Sequence, residues 1–316
     1  MTKISYVIPC YRSELTLTGV VDEIDRTMAG LPDYAYEIIL VNDGSPDHTM
    51  DVIRDLCKKH DNITGIGLAK NFGQHAALMA GFRHVTGDYV ICLDDDGQTP
   101  ADEAGKLIAE LDAGRDVVYA RYQNKKHSLF RNFGSWVNST MTMLVLGKPR
   151  ELFISSYFGA RRFIIDDVVR YENCYPYVIA LVLRATKNIS NVDVHHRERA
   201  VGISGYTFRT LMKLWFNGLT ASSMSPIRLA TMVGGFCAAA GFLYGIYTII
   251  KKFLVPDVPL GFSALMAAVT FLGGFIILIL GFIGEYVGRI YVCLNSAPQY
   301  VIRDVIGQQA NKTNEQ

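Results

Sequence analysis

Tyr89-Val90-Ile91-Cys92-Leu93-Asp94-Asp95-Asp96-Gly97-Gln98 couples a short apolar run directly to three adjacent carboxylates. The run is too short for a helix and rich in residues that favour extended structure, so it reads as a buried strand. Outward from it, the same pattern recurs. Ile4–Cys10, Tyr36–Val41, Ile63–Leu68 and Val117–Ala120 are further apolar runs, and between them Glu14–Met28, Asp47–His60, Gln74–Val85 and Ala101–Ala113 carry helical spacing. Strands alternating with amphipathic helices predict an α/β fold, a mostly parallel sheet with flanking helices. Such sheets bind ligands at the carboxyl ends of their strands. The polar clusters stand there: Asp94-Asp95-Asp96 after one strand and Asn42-Asp43-Gly44-Ser45 after another.

Three neighbouring carboxylates repel one another and cannot all be buried unpaired. A divalent cation relieves that repulsion. Mg²⁺ or Mn²⁺ takes oxygen ligands, usually one or two carboxylates plus substrate phosphates. Along an extended chain the side chains alternate, which places Asp94, Asp96 and Gln98 on one side. The competing reading is an acidic turn or a helix cap. Asp43 at its strand end suits a base or ribose, with plain turn chemistry as the competing reading. Gly65-x-Gly67 lacks the third glycine of a dinucleotide fingerprint, and no P-loop is present.

The 316 residues are 50% hydrophobic with a net charge of +1, which gives no sign of nucleic-acid binding. The apolar excess follows Pro226. Leu229–Ile250 and Leu260–Gly284 carry no charge, and each reaches the length of about 20 residues that crosses a bilayer core. The expected organisation is a globular domain over 1–226, a two-span transmembrane hairpin over 227–290, and a C-terminal tail over 291–316. Within the first, 128–146 and 206–219 read as amphipathic helices lying in the bilayer interface. For 206–219 a core helix is the alternative. Arg209, Lys213 and Arg228 precede the first span, Arg289 and Arg303 follow the second, and Lys251 and Lys252 lie between. That bias predicts a multi-pass protein of the cell's inner (plasma) membrane, with the globular domain and tail in the cytoplasm. The six cysteines form no C-x-x-C pair and read as reduced thiols.

A set of segments carries a further resemblance: Val7-Ile8-Pro9-x-Tyr11, Glu37-Ile38-Ile39-x-Val41-Asn42-Asp43-Gly44-Ser45, Asn71-Phe72-Gly73-Gln74, Ala80-Gly81-Phe82, Gly87-Asp88-Tyr89 and Asp94-x-Asp96-x-Gln98-x-Pro100. Over roughly residues 3 to 120 the chain resembles the family-2 inverting glycosyltransferases with the GT-A fold. Gly202-x-Ser204-Gly205-Tyr206 and the hairpin make it similar, within that family, to the polyprenyl-phosphate sugar transferases. The resemblance implies a metal-dependent, inverting transfer of a sugar from a UDP- or GDP-sugar to a polyprenyl phosphate for cell-envelope glycan synthesis or modification. It implies Mg²⁺ or Mn²⁺ on Asp94, Asp96 and Gln98, with Asp94 and Asp96 catalytic. Pro9, Tyr11, Asp43 and Asp95 would meet the nucleotide sugar. Arg131 would meet the lipid phosphate, with Arg197 and Arg199 as weaker members of the same cluster. Arg121, Lys125 and Lys126 extend a basic stretch toward Arg131, and Arg suits phosphate through its planar fork.

The chain departs from many relatives at Ile154–Arg162, where an acceptor-side carboxylate is missing and Arg161 and Arg162 stand instead. The expected partners are the donor, the lipid acceptor and membrane lipid, with no nucleic acid; association into a homo-oligomer is left open. Two rivals stand. A processive polysaccharide synthase would carry a Gln-x-x-Arg-Trp segment and more spans, and neither is in the sequence. An inactive membrane scaffold or lipid-carrier binder would not need an intact Asp94-x-Asp96-x-Gln98 set.

Overall fold

The computed structural model describes residues 1–122, 151–195, 261–295 and 298–307, with Gly234, Phe236, Leu243, Ile246 and Ile250. The expected interfacial helices at 128–146 and 206–219, residues Lys125, Lys126, Arg131, Arg197 and Arg199, and nearly all of the first expected span lie outside the described residues. The chain divides into two units, Met1–Leu211 with Ala297–Gln316, and Met212–Ser296.

The first unit is built on strands β1 (Thr2–Cys10), β2 (Tyr34–Asn42), β3 (Ile63–Leu68), β4 (Tyr89–Cys92), β5 (Val117–Tyr122), β6 (Phe158–Arg161), β7 (Ile189–Val194) and β8 (Ile302–Gly307). Helices α1 (Leu17–Ala29), α2 (Thr49–Lys59), α3 (Gln74–Phe82), α4 (Ala104–Asp112), α5 (Arg162–Val169) and α6 (Val178–Ala185) flank them. The strand order is β7-β5-β6-β4-β1-β2-β3-β8. Strand β1 runs parallel to β2 and β4, β2 parallel to β3, and β5 parallel to β7. Strand β6 is antiparallel to both β4 and β5, and β8 is antiparallel to β3.

Central parallel strands are buried on both faces and therefore read as continuous apolar runs. In β1, Ile4, Tyr6 and Ile8 join the core formed with α1, α2 and α4. Val7 turns the other way, into the core formed with α3, α5 and α6. Helix α1 buries Leu17, Val20, Val21, Ile24 and Met28, one stripe at helical spacing. Helix α3 has no polar face over its last seven residues, Ala76 to Phe82, which are all buried. It lies so close to β1 that a Cβ on Gly81 would sit 2.5 Å from Val7 Cγ1, which accounts for the glycine of Ala80-Gly81-Phe82.

Two strands were not legible in advance. Strand β6 inserts between β4 and β5, and β8 comes from the stretch expected to be a tail. The reading of the cysteines as free thiols holds for Cys10, Cys57 and Cys92. It does not hold for Cys174 or Cys293, each of which is disulfide-bonded.

The second unit contains α7 (Phe262–Leu294), 33 residues long. At a rise of about 1.5 Å per residue it extends about 50 Å, more than a hydrocarbon core of about 30 Å. Its most apolar stretch is Leu272–Leu294, none of it buried. The expected second span stopped at Gly284 because Glu285 follows; the helix instead continues through Glu285 and Arg289. Isolated charged side chains do not interrupt backbone hydrogen bonding, so composition located the helix but not its end.

Candidate active site

Strands β4, β1 and β2 are adjacent and parallel, so their carboxyl ends open on one edge of the sheet. That edge gathers Asp94–Gln98, Pro9–Ser13 and Asn42–Ser45, three segments far apart in sequence. The turn after β1 is tied to both neighbours. Tyr11 donates its N–H to Asp95 Oδ2 at 2.8 Å, and the Ser13 hydroxyl donates to the same oxygen. Thr16 Oγ1 donates to the Asp95 carbonyl at 2.6 Å. On the other side, Arg12 N–H donates to Ser45 Oγ at 3.1 Å. Arg12 has φ of 59°, a left-handed conformation uncommon outside glycine, which sequence reading did not single out. The Tyr11 ring is 44% exposed, with the Arg12 guanidinium 5.5 Å from its centroid. It offers an aromatic face at the strand ends.

Asp43 is buried, and each of its carboxylate oxygens accepts one backbone N–H: Phe72 at 2.7 Å and Gly73 at 2.8 Å. Burial pushes its carboxyl above the usual value, and the two N–H donors offset part of that. Gly44 has φ of 60°, and a Cβ there would lie 2.4 Å from the Lys70 carbonyl carbon. The Asn42-Asp43-Gly44-Ser45 cluster therefore packs backbone to backbone against the loop after β3. Both readings of Asp43 remain compatible with this latch, since each oxygen keeps a second lone pair.

That latched loop delivers Gln74, the first residue of α3. Gln74 Nε2 donates to Asp94 Oδ1 at 3.0 Å, and Ser156 Oγ donates to Asp94 Oδ2 at 2.5 Å. Sequence reading gave neither residue a role, although Gln74 closes a quoted motif and Ser156 sits where a carboxylate is missing. Burial, and then the charges of Asp96 and Asp95, push the Asp94 carboxyl up to about 6, against the lowering effect of Ser156 and Gln74. Asp95 is also raised, chiefly by burial. Asp94 and Asp95 diverge as alternation requires. The alternation does not carry on to Asp96 and Gln98 as an extended strand. Strand β4 ends at Cys92, Gly97 takes φ of 72°, and Asp96 Oδ1 accepts the Gln98 N–H at 3.1 Å in a turn.

Among the described residues no group of three or more His, Cys, Asp or Glu is arranged to hold a metal by itself. Asp94, Asp96 and Gln98 nonetheless suit a hard cation shared with a ligand. They supply two carboxylates and an amide, and Mg²⁺ commonly takes one or two carboxylates with the rest from phosphate and water. Desolvation first, and then the neighbouring Asp96 and Asp95 charges, raise the Asp94 carboxyl, and a bound cation would favour its charged form against both.

Three described arginines have partners away from the Asp94 cluster. Arg161 pairs in register with Tyr89, at the start of β4, so it belongs to the opposite end of the sheet from Asp94. It donates to the carbonyls of Arg115 and Leu111, while Arg162 pairs with Asp166 at 2.7 Å. An antiparallel β6 sends these arginines away from the site, which a linear reading of Ile154–Arg162 cannot reveal. Arg121 is paired with Asp193 across β5 and β7 at 2.5 Å, while Lys125, Lys126 and Arg131 of the same basic stretch lie outside the described residues.

Residues 5–169 match the family model described as glycosyl transferase family 2, and residues 225–290 match the GtrB C-terminal hairpin. The chain is 33% identical over 318 residues to an undecaprenyl-phosphate 4-deoxy-4-formamido-L-arabinose transferase of Photorhabdus laumondii, covering 99% of this chain and 96% of that protein. A protein of the same description from Salmonella dublin is 35% identical over 310 residues, covering 96% and 94%. Among solved structures, glucosyl-3-phosphoglycerate synthase from Mycobacterium tuberculosis, in complex with Mn²⁺, UDP and glucosyl-3-phosphoglycerate, superimposes with a TM-score of 0.50 at 18% identity, covering 74% of this chain and 79% of that one. The fold is GT-A, and the chain belongs to glycosyl transferase family 2.

Proposed function

We propose that this glycosyltransferase moves a sugar from a nucleotide sugar onto a membrane polyprenyl phosphate, with a divalent cation and inversion at the anomeric carbon. The observation that carries the reading is the half-buried Asp94, held by Gln74 at the carboxyl end of β4 with Asp96 two residues on and the exposed Tyr11 bonded to the intervening Asp95. The near full-length similarity to undecaprenyl-phosphate sugar transferases supports the acceptor class.

Pro9, Tyr11, Asp43 and Asp95 form the nucleotide side of the site, and Asp94, Asp96 and Gln98 hold the cation. When bound, Mg²⁺ or Mn²⁺ neutralises charge on the leaving diphosphate. A phosphate oxygen of the lipid forms a bond to the anomeric carbon from the face opposite the nucleotide. The carbon–oxygen bond to the nucleoside diphosphate breaks, and the diphosphate departs with the electron pair. A sugar hydroxyl needs a base to remove its proton, but a phosphate monoester with a second pKa of about 6 is already largely deprotonated near neutral pH. Such an acceptor requires cationic positioning, which Arg131, with Arg197 and Arg199, would supply.

Chain topology supports a multi-pass anchor. The chain leaves the first unit at Leu211, re-enters it at Ala297, and adds β8 to the same sheet as β1 to β3. A segment that begins and ends in one folded unit crosses a bilayer an even number of times. With α7 as one crossing, residues before it supply a second, in keeping with the hairpin match over 225–290.

The test is a panel of UDP- and GDP-sugars offered to the purified chain with polyprenyl phosphate or the matching polyprenol, with and without chelator. Transfer should need the metal and the phosphate, and Arg131→Ala should impair use of the lipid while leaving donor binding nearly unchanged. Comparable turnover of polyprenol would refute the acceptor assignment, and full activity in chelator would refute the metal.

A further inference from the structure

We infer that Gln74 and Ser156 are positioning residues that preset the Asp94 carboxylate for the cation, a step that rests on the metal-dependent reading above. Each donates to a different oxygen of Asp94, Gln74 at 3.0 Å and Ser156 at 2.5 Å. The two donors come from separate parts of the fold and are anchored independently. Gln74 follows the loop whose Phe72 and Gly73 N–H groups are pinned by Asp43 at 2.7 and 2.8 Å. Ser156 lies between Ser155, whose hydroxyl contacts the Ala120 and Tyr157 carbonyls at 2.8 Å, and Tyr157, which is fully buried and donates its hydroxyl to the Pro100 carbonyl at 3.1 Å.

Two anchored donors leave the carboxylate little freedom to rotate. They also leave it competent as a ligand, because a carboxylate oxygen that accepts one hydrogen bond retains a second lone pair. Hydrogen-bond partners of ligating groups fix their orientation, and their removal typically lowers metal affinity 10- to 100-fold. Asp43 thereby acts at a distance: by pinning the loop it places Gln74 on Asp94, across the end of β1 that separates β2 from β4 in the sheet.

The readout is Mn²⁺ binding to the full chain in detergent with UDP present, followed by electron paramagnetic resonance of the free ion, alongside thermal unfolding. Gln74→Ala and Ser156→Ala should each raise the Mn²⁺ dissociation constant about 10- to 100-fold with the unfolding midpoint preserved. Ser156→Thr, which keeps the hydroxyl, should bind Mn²⁺ nearly as the native chain does. Saturating Mn²⁺ should restore most of the lost turnover in the alanine variants. Native Mn²⁺ affinity in both alanine variants would overturn the inference while leaving the metal reading intact. A native chain that binds no Mn²⁺ would overturn both.

Discussion

Glu37 in β2 shows what a single side chain does for this sheet. Its carboxylate accepts from Lys3 Nζ at 2.7 Å, Ser5 Oγ at 2.6 Å and Thr86 N–H at 2.6 Å, and Ser5 Oγ in turn accepts the Gly87 N–H at 2.8 Å. Asp88 adds a bond to the Lys3 N–H at 2.9 Å. The Glu37 and Gly87-Asp88 elements of the family motifs thus fasten the amino ends of β1, β2 and β4, away from the site. Burial pushes the Glu37 carboxyl up, but Lys3, Ser5 and Thr86 outweigh it and hold it below the usual value. A lowered carboxyl stabilises the fold above its unfolded-state pKa of about 4.3 and loses that contribution as pH falls through the lower folded value. Glu37→Ala should cost about 2–4 kcal/mol near neutral pH, because several donors lose their acceptor. In denaturant melts the gap between native and Glu37→Gln chains should narrow as pH falls below about 4. A gap independent of pH between 3 and 6 would rule out the charged network.

At the scale of elements, the helices and strands through β5 were legible because both periodicities were clean. Strand β3 and α3 begin where the sequence places them, at Ile63 and Gln74. Strand β8 was not legible. Ile302–Gly307 contains Arg303 and Asp304 and makes a strand only because β3 offers a free edge, pairing Thr64 with Gly307 and Gly67 with Asp304. Arg303 also donates to the Ala69 carbonyl at 2.8 Å. Ending the chain after Ser296 should therefore destabilise the first unit, although it removes what reads as a tail. Loss of the partly buried Ile302 and Ile306 is worth about 3 kcal/mol. That corresponds to a fall in unfolding midpoint of roughly 6–12 °C for a unit of this size. An unchanged midpoint and unchanged proteolysis at β3 would show that β8 is dispensable.

At the scale of the whole molecule, the proposed hairpin, with β8 returning the chain to the first unit's sheet, is consistent with the charge bias around the expected spans. Both predict that Asp257, between the spans, faces away from the catalytic domain. With the native cysteines replaced, a cysteine at 257 should react with an impermeant thiol reagent added to intact cells. Labelling only after lysis would reverse the orientation or show that the hairpin does not span.

The sequence by itself determined the fold class, the long apolar helix near the C-terminus and the carboxylates, because each is written in local pattern: periodicity, uncharged length and adjacent like charges. Only the tertiary structure decided what those carboxylates touch. Gln74 and Ser156 reach Asp94, Tyr11 and Ser13 reach Asp95, and Phe72 and Gly73 reach Asp43, all across strands that neighbour one another in space and not in sequence. Arg161 and Arg162 point the same lesson in the other direction, since an antiparallel β6 carries them to the far end of the sheet from the site they appear beside in the linear chain. Strand order and direction are set by packing between distant segments, and no local window of residues contains that information.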